Sequence, residues 1–328
     1  MIQADVFSFH ARDPADWTWT ETVFLFFSVP EEGISCSIYV LARPNLGVCH
    51  SSIEIHKGFC HHPWEGGFTD AQLHLPCPAD FSNFTLPNGL SFQSRNQPRD
   101  FAIQYLSKDG ACRFDVDYVA LSYPFDTHDP NDNPLVAHSK ESANVPGYDG
   151  WHNGHMESIG RITGKVTLYG KTYEVDCIDG MDKSWGPRPD FGQQGSSWFH
   201  VATDDGFAAF LAMGLNFVDR EVTYGPLRFG FVVVDGEKTG IVEASMSSQR
   251  SDMLVMRTVV DFKDAKGRTY HAVGTALAAA PWYTFNPACV SFQTLLRWEC
   301  NGKTGASHFT DFMGLNFMTQ GVAPRHVP

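Results

Sequence analysis

Hydrophobic and polar residues alternate along this chain in short runs separated by turns, which is the two-residue period of β-strands. Near the start, Val23 to Phe27 is uninterrupted apolar sequence, as in a strand that is buried on both faces. Turns at 30–33 and 43–47 then lead into two further strand-like runs, at 34–41 and 48–55. The pattern predicts three consecutive antiparallel strands in this region.

The second half of the chain shows the same alternation at more even spacing. Pairs of predicted strands flank turns that contain Gly, for example Asp204-Asp205-Gly206 and Asn301-Gly302, and the last strand is predicted from Ala306 to Phe317. The pentapeptide Met-Gly-Leu-Asn-Phe occurs at 213–217 and at 313–317. Internal similarity between two barrel strands explains this repeat no better than a shared packing requirement or chance. Without helical periodicity, this pattern favours an up-and-down barrel or a sandwich.

Residues 124–154 form the longest stretch without periodicity, and their Asp, Asn, Pro and Gly content is typical of a linker or a lid. We place the domain boundary at the end of this stretch, which gives an N-terminal β domain over residues 1–154 and a C-terminal β domain over residues 155–328. A length of 328 residues allows each domain to bury a substantial core. The predicted fold class is therefore all-β, with two antiparallel barrels or sandwiches in tandem.

A predicted hairpin precedes the segment with the most varied side chains. Apolar residues alternate with polar ones from Ile162 to Val175, on both sides of the turn Tyr169-Gly170-Lys171. After Asp179-Gly180 the alternation gives way to Met-Asp-Lys-Ser-Trp-Gly-Pro-Arg at 181–188. We interpret residues 181–188 as a loop held by strands, which is a common place for functional groups.

This predicted loop carries a carboxylate, an ammonium, a hydroxyl, an indole and a guanidinium, which belong to Asp182, Lys183, Ser184, Trp185 and Arg188. A functional interpretation makes Asp182 a reactive group. A structural interpretation is also open, because Arg188 would pair with Asp182 or Asp190 to fix the loop, and Trp185 would fill a core.

The sequence Gly-x-Asp-x-Ser-Trp-Gly-x-Arg at 180–188 resembles the signature loop of the carotenoid hydratase superfamily, also called hydroxyneurosporene-synthase-like. The resemblance implies a lipocalin-like double barrel and places Asp182 at the position of that family's proposed acid/base. Lys183 stands where the family often has His, and Gly180 stands where its carotenoid enzymes have Tyr. The resemblance therefore bears on the fold and on Asp182 more than on a carotenoid substrate.

Histidines upstream of this segment are the candidate partners of Asp182. The run from Trp151 to Glu157 contains His152 and His155, and residues two apart on a strand, such as His155 and Glu157, share one face. The carotenoid hydratases also place a functional His upstream of their loop Asp, which favours His155 as the hydrogen-bonding partner, with His152 as the competing choice. The spacing lacks a third well-placed zinc ligand, so we predict no metal.

The composition argues against several classes of partner. With a formal net charge of −13 and a pI near 5.4, the chain lacks the basic character that nucleic acids and anionic membranes require. No apolar stretch reaches membrane-spanning length, and the N-terminus lacks a signal-peptide pattern. The eight cysteines form no C-x-x-C pair, which we interpret as reduced thiols of a cytoplasmic protein.

Missing motifs narrow the chemistry. The chain has no dinucleotide fingerprint, P-loop or nucleophile elbow, which favours a reaction without a cofactor. Its 26 Phe residues supply aromatic surface for an apolar ligand, and a carboxyl group in such a pocket has a raised pKa. We predict a cofactor-independent lyase of the hydratase/dehydratase kind, or an allied isomerase or cyclase, acting on an apolar small molecule such as a terpenoid, steroid or polyketide-like compound.

In this hypothesis Asp182 transfers the proton, His155 or His152 assists it, and Arg188 is structural. The side chains predicted to contact the substrate are Lys183, Ser184, Trp151, Trp185 and Trp198. The alternative is a lipocalin-like carrier or sensor, which needs the apolar pocket but no titrating Asp182. The oligomeric state does not follow from the sequence.

Overall fold

The computed structural model describes residues 2–136, 153–188, 195–218 and 221–320, and this part of the chain is almost entirely β. Its first eleven strands form one antiparallel sheet: β1 (Trp19–Val29), β2 (Ile34–Arg43), β3 (Val48–Lys57), β4 (Phe68–Pro76), β5 (Asn83–Thr85), β6 (Ser91–Asn96), β7 (Asp100–Leu106), β8 (Cys112–Ala120), β9 (Phe125–Asp126), β10 (Gly154–Leu168) and β11 (Lys171–Pro187). The strand order is β4-β3-β2-β1-β11-β10-β8-β7-β6-β5, with β9 paired to β10. The sheet is open at β4 and β5 and curls around one hydrophobic core.

The remaining eight strands close into a barrel: β12 (Ser196–Ala202), β13 (Ala208–Val218), β14 (Glu221–Val234), β15 (Glu237–Ser251), β16 (Leu254–Asp264), β17 (Thr269–Asn286), β18 (Cys289–Cys300) and β19 (Lys303–Gly314). Each strand pairs with the next in the chain, and β19 pairs back to β12. The predicted all-β fold is confirmed. It consists of one closed barrel and one curled open sheet.

The repeated pentapeptide adopts two different structures. Residues 213–217 lie within β13, which stays paired to β14 as far as Val218. At the second copy β19 ends at Gly314 and the helix α1 (Leu315–Gln320) begins, so the strand predicted through Phe317 is wrong beyond Gly314. Among the described residues no helix is long and apolar enough to cross a membrane.

Strand β1 lies inside the first sheet, between β2 and β11, and is buried along its whole length. Val23, Leu25 and Phe27 face the core of the open sheet. Phe24 and Phe26 face the barrel, where they belong to a second cluster shared by both units. The prediction of a strand buried on both faces is confirmed, because one face covers the sheet's own core and the other meets the barrel.

The predicted domain boundary at residue 154 does not coincide with the change from sheet to barrel. Strands β10 and β11 pair with β8 and β1 of the first sheet, and the barrel begins only at Ser196. The two strands that the structure describes within the aperiodic stretch 124–154, β9 and the start of β10, both belong to the first sheet. The composition of residues 124–154 predicts a connection between strands. It does not predict which sheet the next strand joins, because strand pairing is a long-range property.

Asp179 of β11 ties the two units together. Its carboxylate is fully buried and lies 2.9 Å from Nδ1 of His200 and 2.9 Å from Nδ1 of His308, on barrel strands β12 and β19. His308 in turn bonds to Ser35 of β2 through its Nε2. Burial would raise the pKa of Asp179, but His308 and His200 hold it well below its usual range. The ionised form is thus part of the folded structure.

We expect Asp179→Asn to lower the free energy of unfolding by about 3–5 kcal/mol, the cost of removing one partner from a buried charged group. Because the folded-state pKa of Asp179 is lowered, its contribution is complete at neutral pH and is lost as the pH falls into the acid range. Urea unfolding at neutral and acid pH measures both effects. Asp176→Asn, which alters only an exposed pair with Arg161, is the control, and an equal loss in both variants would contradict the assignment.

Candidate functional site

Residues 181–187 are not a loop but the last part of β11, which pairs with β1 on one side and with β10 on the other. The loop prediction is therefore wrong. The apolar alternation breaks here because both faces of the strand are covered and polar side chains find partners on each. Since successive side chains of a strand point to opposite faces, β11 divides its functional groups into two sets.

One set lies on the face of β11 that is turned towards the barrel. Asp182 is paired directly with Glu157 of β10, and Ser184 is paired with His155. Trp198 of β12 covers this face from the barrel side, and its Nε1 donates to Oε1 of Glu157 at 2.7 Å. The structure thus brings together four of the predicted site residues, Asp182, His155, Ser184 and Trp198.

His155, Glu157 and Asp182 form a compact group that we call the carboxylate–histidine cluster. Nε2 of His155 lies 2.9 Å from Oε1 of Glu157 and 3.9 Å from Oδ2 of Asp182. Glu157 is fully buried, whereas the Asp182 side chain retains 15% of its exposure. One imidazole nitrogen therefore sits beside two carboxyl groups that differ in their access to solvent.

Burial and charge act in opposite directions within the cluster. Burial raises the pKa of Glu157 above its usual range, although His155 opposes this shift. Burial alone would lower the pKa of His155, but Glu157 and Asp182 outweigh it and raise the pKa to about 9. The cluster therefore combines an imidazole that favours its protonated form with a buried carboxyl group that binds a proton more readily than an exposed one.

Aromatic rings surround the cluster. The ring of Trp198 lies 5.3 Å from that of Phe24 and 5.4 Å from that of Phe210, and Phe229 meets His155 edge-on at 5.6 Å. All three Phe side chains belong to the hydrophobic cluster shared by the sheet and the barrel. The acid–base groups therefore lie in a low-dielectric setting in which charge interactions are strong.

Lys183 and Trp185 lie on the opposite face of β11 and are not brought together with Asp182. Nζ of Lys183 is fully buried and forms an ion pair of 2.6 Å with Oε2 of Glu21. The indole of Trp185 stacks on His10, with ring centres 4.0 Å apart. Contacts of Lys183 and Trp185 with a substrate would require a ligand on the first sheet's core side.

Arg188 follows β11 and is held mainly by hydroxyl groups in the described contacts. Nη1 donates to the hydroxyl of Tyr39 at 3.1 Å, and Nη2 donates to Oγ of Ser184 at 2.9 Å. Ser184 is bonded in turn to Oγ1 of Thr22 at 2.7 Å. The guanidinium thus connects β2, β1 and β11 beside the cluster. The predicted partner Asp190 lies outside the described residues, as do Trp151 and His152.

Two site residues had little signal in the sequence. Glu157 could be recognised only because it lies two positions from His155 on one strand face. No sequence pattern points to His200, because its neighbours come from another strand. It lies so close to β11 that a Cβ built on Gly180 would be 1.9 Å from its Nε2. The imidazole of His200 therefore occupies space beside β11 at the position where the carotenoid enzymes carry Tyr.

The cluster also supplies a third possible metal donor, which the spacing of His155 and Glu157 in the sequence does not predict. One donor atom each from His155, Glu157 and Asp182 lie within 4.8 Å of one another, a spacing that a divalent cation could use. However, Nε2 of His155 and Oε1 of Glu157 are already at hydrogen-bonding distance, 2.9 Å. Because one imidazole nitrogen lies beside two carboxyl groups, we interpret the cluster as a proton-transfer site.

A closed eight-stranded barrel packed on a curled antiparallel sheet is a lipocalin-like double-barrel fold. The chain belongs to the family described as domain of unknown function DUF7064, whose profile matches residues 8–312. No curated protein matches the chain.

Two solved structures share this fold. One is a Nitrosomonas europaea protein provisionally assigned as AttH, with a TM-score of 0.56 and 11% identity, over 90% of this chain and 91% of that one. The other is kievitone hydratase from Nectria haematococca, with a TM-score of 0.53 and 8% identity, over 91% of this chain and 89% of that one. At these identities the likeness establishes the fold alone.

We expect Arg188→Lys to lower the free energy of unfolding by about 1–3 kcal/mol, because an ammonium cannot bond Tyr39 and Ser184 in the same fork. Thermal unfolding measures the change, with Arg161→Lys as an exposed control. If stability were unchanged while ligand binding or turnover fell, Arg188 would be a substrate contact and not a structural residue.

Proposed function

We propose that this protein is a hydratase-type lyase, or an allied isomerase or cyclase, that acts on an apolar small molecule without a cofactor. The observation that carries the proposal is the buried carboxylate–histidine cluster among aromatic rings at the junction of sheet and barrel. A hydratase with the same overall fold is consistent with it. The sequence resemblance, which places an acid/base at Asp182, supports the same chemistry.

Asp182 is the proton-transfer residue in this proposal, and His155 sets its charge and orientation. Adding water to an alkene, or removing a hydroxyl group, requires a proton to move to or from the substrate. Positive charge that develops on carbon would be stabilised by the faces of Trp198 and Phe24, by about 0.5–2 kcal/mol for each ring. An isomerase or cyclase would share this first protonation and differ in what captures the cation.

The substrate class follows from the surroundings of the cluster. The wall shared by sheet and barrel is built mainly from Phe and Trp side chains, which bind carbon skeletons well and polar molecules poorly. We therefore propose a terpenoid, steroid or polyketide-like substrate with at least one alkene or hydroxyl group. Ser184, which is bonded to Arg188 and Thr22, is the polar neighbour that would orient such an oxygen atom.

A carrier or sensor is the second candidate function, because the same aromatic wall would bind an apolar ligand without any chemistry. The two candidates separate when purified protein is incubated with terpene alcohols, enones and hydroxylated steroids and each compound is followed by mass. Gain or loss of one water supports the lyase. Binding of an apolar fluorescent probe with every compound unchanged supports the carrier.

We expect Asp182→Asn to reduce turnover by about 10² to 10⁴, since the amide keeps the shape of the side chain but cannot transfer the proton. Ligand affinity should persist, which fluorescence quenching of Trp198 would measure. Asp176→Asn on the same strand is the control and should turn over like the parent. Parent-like turnover of Asp182→Asn would instead direct the search to Asp179, Lys183 and Ser184.

We also expect elemental analysis of the purified protein to find no stoichiometric divalent metal, because the cluster is proposed to hold a proton. A second measurement compares His155→Ala with the parent after incubation with Zn²⁺ and gel filtration. Metal retained by the parent at one equivalent and lost in the variant would contradict the cofactor-free proposal.

A further inference from the structure

We propose that Glu157 is the acid of the reaction and Asp182 the base, with Nε2 of His155 as the relay that returns the proton from Asp182 to Glu157. This inference rests on the proposed function and deepens it, because it assigns separate roles to two carboxyl groups. It starts from an unsatisfied atom at the centre of the site and not from the resemblance, which points only to Asp182.

The two oxygens of Glu157 have very different surroundings. Oε1 accepts from the indole of Trp198 at 2.7 Å and lies 2.9 Å from Nε2 of His155. Oε2 is buried and has no hydrogen-bond partner among the described residues. A buried carboxyl oxygen without a partner is costly, and we assign an entering molecule as the partner of Oε2. The atom of Glu157 best placed to meet a substrate is therefore Oε2.

The hydrogen bond from Trp198 makes the two oxygens of Glu157 chemically different. Because the indole donates to Oε1 and the imidazole lies 2.9 Å from the same oxygen, Oε2 is the oxygen left to carry the acidic proton. Burial raises the pKa of Glu157 although His155 opposes the shift, so this carboxyl group takes up a proton more readily than an exposed one. Asp182 retains 15% of its exposure, so it is the carboxyl group closer to the water that must be added.

His155 connects the two carboxyl groups through one atom. Its Nε2 lies 2.9 Å from Oε1 of Glu157 and 3.9 Å from Oδ2 of Asp182. His155 itself is opposite Ser184 in the pairing of β10 with β11. A proton on Nε2 can pass to the Glu157 carboxylate at once, and a small rotation brings the nitrogen to Asp182. A purely structural role for His155 would need only one of these contacts.

These placements give a complete cycle. Glu157 gives the proton on Oε2 to one alkene carbon, and the π electrons form the new C–H bond and leave a cation on the other carbon. Water attacks that carbon, and Asp182 takes the proton that the water oxygen releases. Nε2 of His155 then gives its proton to Oε1 of the Glu157 carboxylate, and Asp182 reprotonates Nε2. Rotation of the carboxyl group exchanges its two oxygens, so that the proton again faces the substrate. The sum is alkene plus water to alcohol, and dehydration is the reverse.

The protonation state of Glu157 can be tested without a substrate. Infrared difference spectra of the parent minus Glu157→Gln, at slightly acidic pH, should contain the C=O stretch of a protonated carboxyl group. Parent minus Glu54→Gln is the matched control, because burial also raises the pKa of Glu54, on β3 outside the cluster, and its band should be separate. Absence of a Glu157 band would overturn the proposal, since an ionised Glu157 cannot be the acid.

A second variant keeps this test valid if Glu157→Gln does not fold. Trp198→Phe keeps the carboxyl group but removes one donor to Oε1, so the Glu157 band should persist at a shifted frequency. An unchanged spectrum would contradict the hydrogen bonding on which the assignment depends.

The division of roles is tested in D₂O with any compound of the panel that the parent converts. Asp182→Asn should still place deuterium on the alkene carbon while water addition falls by about 10² to 10⁴, whereas Glu157→Gln should lose both processes. The reverse pattern would overturn the assignment of acid and base. If the parent converts no compound, the proposed function fails, and the infrared measurement still decides whether Glu157 carries a proton.

Discussion

Burial of charged groups along one strand, β11, is the constraint on which the rest of this structure depends. Both faces of β11 are covered, one by the core of the open sheet and one by the barrel. Asp179 and Lys183 are nevertheless buried there with their charges. A buried charge is tolerated only with partners in good geometry, and here each partner comes from a distant strand: His200 and His308 for Asp179, Glu21 for Lys183.

These requirements fix how the barrel meets the sheet. Apolar contact between Phe and Trp rings is tolerant of small shifts, because dispersion and hydrophobic burial are not directional. The bonds from Trp198 to Glu157 and from His308 to Asp179 are directional, and they come from strands β12 and β19 of the barrel. A shift by one residue would turn these side chains away and leave two buried carboxyl groups unpaired. The same contacts that build the candidate site therefore also hold the two units in register.

Local patterns predicted the strands well. The hairpin from Ile162 to Val175 forms as β10 and β11 about its predicted turn, where Tyr169 and Gly170 both have positive φ. Such a turn is determined by a few neighbouring residues, and alternation needs only one covered face. The segment at 181–187 was misjudged because both of its faces are covered. Its Lys183 is matched by a residue 162 positions away, which no local pattern reveals.

The sequence predicts the proximity of site residues that lie on the same strand, but not of residues on different strands. Asp182 was singled out by its segment, and His155 and Glu157 share a face at a spacing of two, so their proximity to each other could be expected. Their contact with Asp182 depends on the register between β10 and β11, which places Glu157 opposite Asp182. Trp198 and His200 enter from the barrel, so their roles depend on the packing of one unit against the other.

The barrel-facing side of β11 at Gly180 is filled by a side chain of the barrel. Where the carotenoid enzymes carry Tyr, this chain has Gly180, and the imidazole of His200 fills the space at a distance that excludes even a methyl group. His200 is itself held by Asp179, so this filling is rigid. His155, Glu157 and Asp182 lie further along the same strand pair, where Glu157 is opposite Asp182. The space beside Gly180 and the cluster are therefore formed by different residue pairs of β10 and β11.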